Sequence, residues 1–168
     1  QSRVLWTLTI CAGAGCISCD CQGVRDALLD GLSQSPLSGS AAVKMTGCLG
    51  SCDIGPVMLV QPGDVLYCRL KPEHMALIIR QHLTQGRIVE SLCPVDPVGG
   101  KPILRIQDMA FYGKQQKIVL KNCGVIDYNS LEDWIAHDGM RALHRVLTTM
   151  TPEQVIDEIR KSGLRGRG

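Results

Sequence analysis

Apolar residues in the first 90 positions follow two spacings, one typical of strands and one typical of helices. The predicted elements are a strand from Arg3 to Ile10, a helix from Val24 to Leu32, a strand from Ala41 to Met45, strands from Val57 to Val60 and from Val65 to Leu70, and a helix carrying Met75, Ile78, Ile79 and Leu83. Pro62 and Gly63 predict a hairpin turn between the last two strands. The order of these elements predicts a small α/β domain.

Beyond this domain the composition changes. Prolines and glycines cluster within nine residues, at Pro94, Pro97, Gly99, Gly100 and Pro102. Such a stretch is typical of an extended linker rather than of a packed element. We therefore expect one domain at residues 1–90, a linker at 91–110 and the beginning of a second domain at 111–168.

The last part of the chain is predicted to be mainly helical. Lys117 to Leu120 has the composition of a strand, with a turn at Phe111-Tyr112-Gly113 ahead of it. Ser130 followed by acidic residues predicts a helix start, and Thr151 with Gln154 forms a capping box that begins another helix. These helices have few apolar residues per turn, so we do not expect them to form a stable domain alone.

Composition and charge exclude several classes of protein. Of the 168 residues, 45% are hydrophobic and 4% aromatic, which predicts an aliphatic core. The net charge of +2, from 18 basic and 16 acidic residues, gives no electrostatic reason to expect a nucleic-acid partner. No run approaches the roughly 18 apolar residues of a membrane span. Nine cysteines are an odd number, which does not suit a disulfide framework. The start shows no signal-peptide pattern. We therefore expect a cytoplasmic protein.

Two glycine-containing cysteine stretches carry the strongest chemical signal. Four residues separate Cys11 from Cys16, and three separate Cys48 from Cys52. Two loops with two thiolates each supply the four ligands of an iron–sulfur cluster or of a zinc ion. The glycines favour the cluster, because backbone N–H groups that curl around the sulfurs stabilise its negative charge. Structural zinc sites more often leave two residues between paired cysteines. The pattern therefore indicates a [2Fe–2S] site.

The same region resembles a known family. The two cysteine spacings, the Gly55-Pro56 that follows, and Gln61-Pro62-Gly63-Asp64 with a nearby tyrosine are similar to the thioredoxin-like [2Fe–2S] ferredoxin domain that accompanies NADH dehydrogenases of the complex I type. The resemblance implies a thioredoxin-like fold. It also implies four cluster ligands, which are Cys11, Cys16, Cys48 and Cys52.

Two alternatives to the cluster remain open from the residues. A structural Cys₄ zinc module would dock the protein to partner subunits without redox activity. A dithiol oxidoreductase would use Cys16-Ile-Ser-Cys19, a motif that opens a helix in such enzymes. The second cysteine loop argues against the dithiol enzyme, which does not need it.

Other cysteines and the histidines receive no role. Lone cysteines are usually buried small hydrophobes, and this is expected of Cys68, Cys93 and Cys123. The histidines lie on helical stretches of mixed polarity and are expected at the surface, at positions His74, His82, His137 and His144.

A second resemblance covers the end of the chain. Lys121 to Asp127 and Ser162 to Gly168 are similar to the opening of the flavin domain in the NADH-binding flavoprotein subunit of complex I and its soluble relatives. In that family the second stretch runs into a glycine-rich loop that binds FMN and positions NAD(H). This implies cofactor contacts at Gly166, Arg167 and Gly168. The residues alone favour a different interpretation, a basic helix end in which Arg160, Lys161 and Arg165 lie near the negative end of the helix dipole.

Together the resemblances imply an electron-transfer module with a [2Fe–2S] cluster. It would belong to the NAD(P)H-oxidising or NAD(P)H-reducing flavoprotein subunit of a hydrogenase or formate dehydrogenase complex, with iron–sulfur and catalytic subunits as partners. FMN, NAD(H) and a [4Fe–4S] cluster are implied only if the chain continues as in the family. We do not expect the 168-residue stretch alone to oxidise NADH.

Overall fold

The computed structural model describes residues 4–166. They divide into two compact units, with the boundary between Asn129 and Ser130. The domain limits expected at residues 90 and 110 stay a prediction.

The first unit is built on a four-stranded sheet. Its strands are β1 (Trp6–Cys11), β2 (Ala41–Thr46), β3 (Met58–Gln61) and β4 (Val65–Tyr67). Their order is β2-β1-β3-β4; β1 runs parallel to β2 and antiparallel to β3, and β3 is antiparallel to β4. The parallel register sets Cys11 beside Thr46. The chain therefore leaves β1 and β2 at the same edge of the sheet, and both cysteine stretches begin there.

The helices of this unit are short apart from one. They are α1 (Ala14–Ser18), α2 (Cys21–Ser33), α3 (His74–Ile78), which continues into a π-helical stretch at Ile79–Thr84, and α4 (Ala110–Gly113), with 3₁₀ turns at Cys52–Ile54, Glu90–Leu92 and Ile106–Asp108. Helix α2 packs against β1, β2 and α3. It buries Val24, Leu28 and Leu32, which confirms the apolar face predicted from their spacing.

The core contains one polar cluster in otherwise aliphatic packing. The hydroxyl of Tyr67 lies 2.9 Å from Nδ1 of His82 and accepts the backbone N–H of Val89 at 3.1 Å. Trp6 packs edge-on against the His82 ring. His82 is only 4% exposed, and burial lowers its pKa. The surface position predicted for this histidine is therefore wrong, because Tyr67 satisfies the ring inside the core.

Most predicted strands and the hairpin turn are confirmed, with shifted limits. Strand β1 begins at Trp6, and Arg3, the expected first residue of this strand, lies outside the described residues. The strand predicted over Lys117–Leu120 is wrong, because this segment is irregular and passes into a turn at Val119 and Leu120, with Ile118 and Val119 exposed. Likewise Phe111 to Gly113 belong to α4 rather than to a turn.

The second unit consists of three helices, α5 (Leu131–Ala136), α6 (Arg141–Thr149) and α7 (Pro152–Ser162). The predicted helix starts are confirmed: Ser130 Oγ accepts the N–H of Asp133 at 3.0 Å, and Thr151 with Gln154 forms the capping box. None of these three helices contains a fully buried residue. Within residues 4–166, no helix has the length and apolar character needed to cross a membrane.

Candidate metal centre

The first cysteine pair is buried. Cys11 is the last residue of β1 and Cys16 lies in α1; each is 2% exposed. The Cys11 thiol lies close enough to Cys16 to affect its pKa. Burial, and then the nearby Cys11, raises the pKa of Cys16 to about 12. Without a metal this thiol is therefore protonated at neutral pH, and a metal must displace its proton to bind the thiolate.

The second pair is exposed to solvent. The Sγ atoms of Cys48 and Cys52 are 3.9 Å apart. The hydrogen bond with Cys48 raises the pKa of Cys52. The backbone N–H of Gly50 donates to Cys48 Sγ at 3.3 Å, and Gly50 has a φ of +99°, which side chains of L-residues rarely adopt. Glycine thus gives one sulfur the backbone N–H donor that the sequence pattern predicts.

Glycines let the two cysteine stretches approach each other. A Cβ atom on Gly13 would lie 2.9 Å from Cys48 Cβ and 3.2 Å from Cys48 Sγ. A Cβ on Gly15 would lie 3.4 Å from Cys52 Cβ. The backbone after Cys11 therefore lies directly against the second pair.

The thiols form two close pairs rather than one set of four. Thiolates around a single zinc ion, at about 2.3 Å from it, would lie about 3.8 Å from one another. Cys48 and Cys52 meet that distance at 3.9 Å, yet within residues 4–166 no three His, Cys, Asp or Glu side chains converge on one ion position. A [2Fe–2S] cluster needs two thiolates on each of two irons. The donor set and its pairing therefore fit this cluster.

The structure argues against the dithiol enzyme. Cys16 lies inside α1 and Cys19 follows its last residue, so the Cys-x-x-Cys motif does not open a helix. The pKa of Cys16 is raised rather than lowered, whereas a reactive dithiol needs a lowered thiol pKa. Of the lone cysteines, Cys68 and Cys93 are buried as expected and Cys123 is half-buried.

Two aromatic residues beside the site were missed from the sequence. The Tyr112 hydroxyl is hydrogen-bonded to Ser51 Oγ, between the two exposed cysteines, and the Phe111 ring lies over Gly50. Composition offered one signal: Phe111 is the single phenylalanine of an aromatic-poor sequence and stands beside a tyrosine. Nothing in the local pattern connects either residue to the cysteine loop.

The cofactor contacts expected at the end of the chain stay a prediction. Gly166 follows α7, and a Cβ there would meet no atom within 4 Å. Arg167 and Gly168 lie outside the described residues.

Two cysteine pairs at one edge of this sheet, joined through glycine contacts, define an iron–sulfur protein of α/β architecture. Residues 3–83 match the profile of the thioredoxin-like [2Fe-2S] ferredoxin family, and the chain belongs to this family. The predicted fold class and the [2Fe–2S] cofactor are thereby confirmed.

Small ferredoxins resemble the first part of the chain. A [2Fe-2S] ferredoxin of Aquifex aeolicus is 35% identical over 79 residues, which are 45% of the chain and 71% of that ferredoxin. A solved structure of a thioredoxin-like [2Fe-2S] ferredoxin from the same organism superimposes with a TM-score of 0.50 at 28% identity, covering 53% of the chain and 89% of that structure.

Larger hydrogenase subunits are also similar. The NADP-reducing hydrogenase subunit HndC of Solidesulfovibrio fructosivorans is 53% identical over 55 residues, or 33% of the chain. The NAD-reducing hydrogenase HoxS subunit alpha of Cupriavidus necator is 32% identical over 123 residues, or 73% of the chain. The matched parts span only 11% and 18% of those two proteins.

Proposed function

We propose that Cys11, Cys16, Cys48 and Cys52 hold a [2Fe–2S] cluster, and that the chain is the electron-transfer module of an NAD(P)-linked flavoprotein subunit. The observation that carries this proposal is the arrangement of thiols in two pairs, with the Gly50 N–H donating to Cys48 Sγ at 3.3 Å. When bound, the cluster supplies one-electron storage between a flavin and other redox centres.

In this proposal each cysteine pair would hold one of the two irons. Cys11 and Cys16 would hold one iron inside the core, away from water. Cys48 and Cys52 are exposed, so the second iron would face the solvent and an electron partner. The N–H of Gly50 stabilises negative charge on the sulfur of Cys48, which favours the reduced state.

The context of the module is part of the proposal. Similarity to a NADP-reducing and a NAD-reducing hydrogenase subunit supports a place in a multi-subunit hydrogenase, beside iron–sulfur and catalytic subunits. A formate dehydrogenase, FMN, NAD(H) and a [4Fe–4S] cluster rest on the resemblance to the flavoprotein subunit, as do contacts from Gly166, Arg167 and Gly168. The proposal of a cytoplasmic location rests on the odd number of cysteines, which does not suit the disulfide framework of a secreted protein.

The test is metal and acid-labile sulfide content on anaerobically purified protein, with EPR before and after dithionite. We expect about two irons and two sulfides per chain, no signal when oxidised and a spin-½ signal when reduced. Zinc without sulfide would contradict electron transfer and leave the docking module as the function.

Single substitutions test the ligand assignment. Cys11→Ser and Cys48→Ser should each lose most of the bound iron, because a cluster loses one of four thiolates. Cys93→Ser and Cys123→Ser are the matched controls and should keep it. Equal loss of iron from all four variants would overturn the assignment.

A further inference from the structure

A positively charged stretch of the chain lies against the second cysteine loop. We call residues 109–121 the basic segment. It contains three lysines, Lys114, Lys117 and Lys121, and no acidic residue, whereas the whole chain has a net charge of only +2. The ferredoxin match ends at residue 83, so the basic segment lies outside the part of the chain that the family describes.

One end of the cysteine loop is joined to the basic segment through an aromatic ring. The Tyr112 hydroxyl is hydrogen-bonded to Ser51 Oγ, and Ser51 directly precedes the exposed Cys52. Lys117 Nζ lies 5.8 Å from the centroid of the Tyr112 ring. One lysine of the basic segment is therefore held near the Cys52 end of the loop.

The other end of the loop lies beside the residues that follow the basic segment. A Cβ on Gly47 would lie 3.1 Å from Sγ of Cys123. Gly47 directly precedes the exposed Cys48, and Cys123 comes two residues after Lys121. Lysines of the basic segment are thus placed near both exposed cysteines.

The other charges around this loop balance one another. Phe111 lines two grooves. One of them also contains Asp53 and Arg69, and the other contains two acidic and two basic residues, which are Asp96, Asp108, Lys101 and Arg105. These neighbours do not offset the three lysines, so the positive charge of this face comes from the basic segment.

We propose that the basic segment draws acidic redox proteins to the Cys48–Cys52 side of the cluster, where electrons are exchanged. This inference rests on the proposed function and names the kind of partner that it requires. The face is open to such a protein, since Cys48 and Cys52 are exposed and the Phe111 ring, which contacts the position of Gly50, is 52% exposed.

The lysines oppose a repulsion that the cluster itself creates. A cluster held by four thiolates is negatively charged, so it repels an acidic surface that approaches it. Three ammonium groups attract that surface and raise the rate at which the two proteins meet in a reactive orientation. Because these side chains are exposed or half-buried, the attraction weakens when salt screens it.

The experiment follows the reoxidation of the dithionite-reduced holoprotein by stopped flow at low ionic strength. The probes are the trianion tris(oxalato)cobaltate(III), the trication hexaamminecobalt(III), and an oxidised flavodoxin of net negative charge. The reduced cluster gives up one electron, which reduces cobalt(III) to cobalt(II), or which reduces the flavin to its semiquinone with a proton taken from water. Iron, sulfide and the midpoint potential are measured for every variant.

Lys117→Gln removes one charge from the basic segment. We expect it to react roughly two- to fivefold more slowly with the trianion and faster with the trication by a similar factor. A changed driving force would instead move both rates in the same direction. The triple variant Lys114→Gln/Lys117→Gln/Lys121→Gln should reduce flavodoxin about tenfold more slowly, and about 0.5 M salt should remove the difference.

Arg80→Gln is the matched control. It removes one positive charge from an exposed residue near the opposite edge of the sheet, because His82, two residues later, packs against Trp6 at the start of β1. Its rates with all three probes should equal those of the wild type.

Three outcomes would contradict these expectations. Equal rate changes in Lys117→Gln and Arg80→Gln would show an effect of net charge alone and would overturn the role of the basic segment. A response of the two cobalt complexes without a response of flavodoxin would overturn the acidic protein partner. A wild type without iron and sulfide would instead refute the proposed function itself.

Discussion

Replacing Gly13 by alanine is expected to weaken cluster binding while leaving the fold intact. Gly13 has φ −65° and ψ 158°, which alanine adopts without strain. The added methyl group would instead lie 2.9 Å from Cys48 Cβ and 3.2 Å from Cys48 Cα. Both are atoms near the backbone rather than the free end of a flexible side chain, so the Cys48 loop itself must move.

The size of the effect follows from that contact. Carbon atoms pack best at about 3.5–4.0 Å, so Cys48 has to retreat by roughly 0.6–1 Å. In the metal-free protein the exposed loop can move aside, and the cost arises when the cluster draws the two pairs together again. Overpacking of this kind costs about 1–3 kcal/mol, which corresponds to roughly 5- to 140-fold weaker binding.

Gly15→Ala is the matched control. Its Cβ would lie 3.4 Å from Cys52 Cβ and 3.6 Å from Cys52 Sγ, close to ordinary contact distances, and alanine favours helix α1 by up to about 1 kcal/mol. The assay is iron and sulfide per chain after reconstitution with limiting iron, followed by competition with a chelator, and circular dichroism confirms that both variants are folded. Equal iron retention by folded Gly13→Ala and Gly15→Ala proteins would refute the close approach of the two cysteine stretches.

Two further predictions concern the core. Burial raises the pKa of Cys93 from 9.0 to about 12, so the unfolded chain loses this proton from about pH 9 upward and the folded chain only near pH 12. The free energy of unfolding should therefore fall as the pH rises through this window. Cys93→Ala should flatten the fall in melting temperature between pH 8 and 11, and an unchanged slope would contradict this account. Tyr67→Phe removes the hydroxyl that partners the Val89 N–H and His82 Nδ1; urea denaturation should show a loss of about 2–4 kcal/mol, and a loss below about 0.5 kcal/mol would be inconsistent with this pairing.

Local sequence patterns predicted the regular elements of the first unit well, because their apolar spacing records which faces are buried. Val24, Leu28 and Leu32 predicted α2, and the structure buries all three. Helix α1 was missed because its five residues include a glycine and lie between two cysteines, which suggests a loop. Its position depends on contact with the second cysteine pair, which no local pattern shows.

Errors arose where a distant residue decides the outcome. Lys117–Leu120 has the side chains of a strand but no neighbouring strand to pair with in the described part of the chain. His82 lies on a helix of mixed polarity, yet Trp6 and Tyr67 enclose it. The Tyr112–Ser51 hydrogen bond joins residues 61 positions apart. Such contacts are products of the tertiary fold, and the sequence alone does not reveal them.

The candidate site was more predictable than its surroundings. Two thiolates on one metal require short spacing along the chain, so Cys11 with Cys16 and Cys48 with Cys52 stand out as pairs. Which pair is buried and which is exposed is a property of the tertiary packing, which the spacing of the cysteines does not show. The contacts that Phe111 and Tyr112, beyond the ferredoxin match, make with this loop could not be foreseen.

The parallel register of β1 and β2 also lowers the entropy cost of bringing the two cysteine pairs together. In a disordered chain, bringing two cysteine pairs together across about thirty intervening residues would carry a loop-closure entropy cost. Here backbone pairing sets Cys11 beside Thr46, two residues before Cys48, so the sheet itself meets part of that cost. The pairing of β1 with β2 therefore carries part of a cost that falls on the metal alone in zinc fingers, which are unfolded without it.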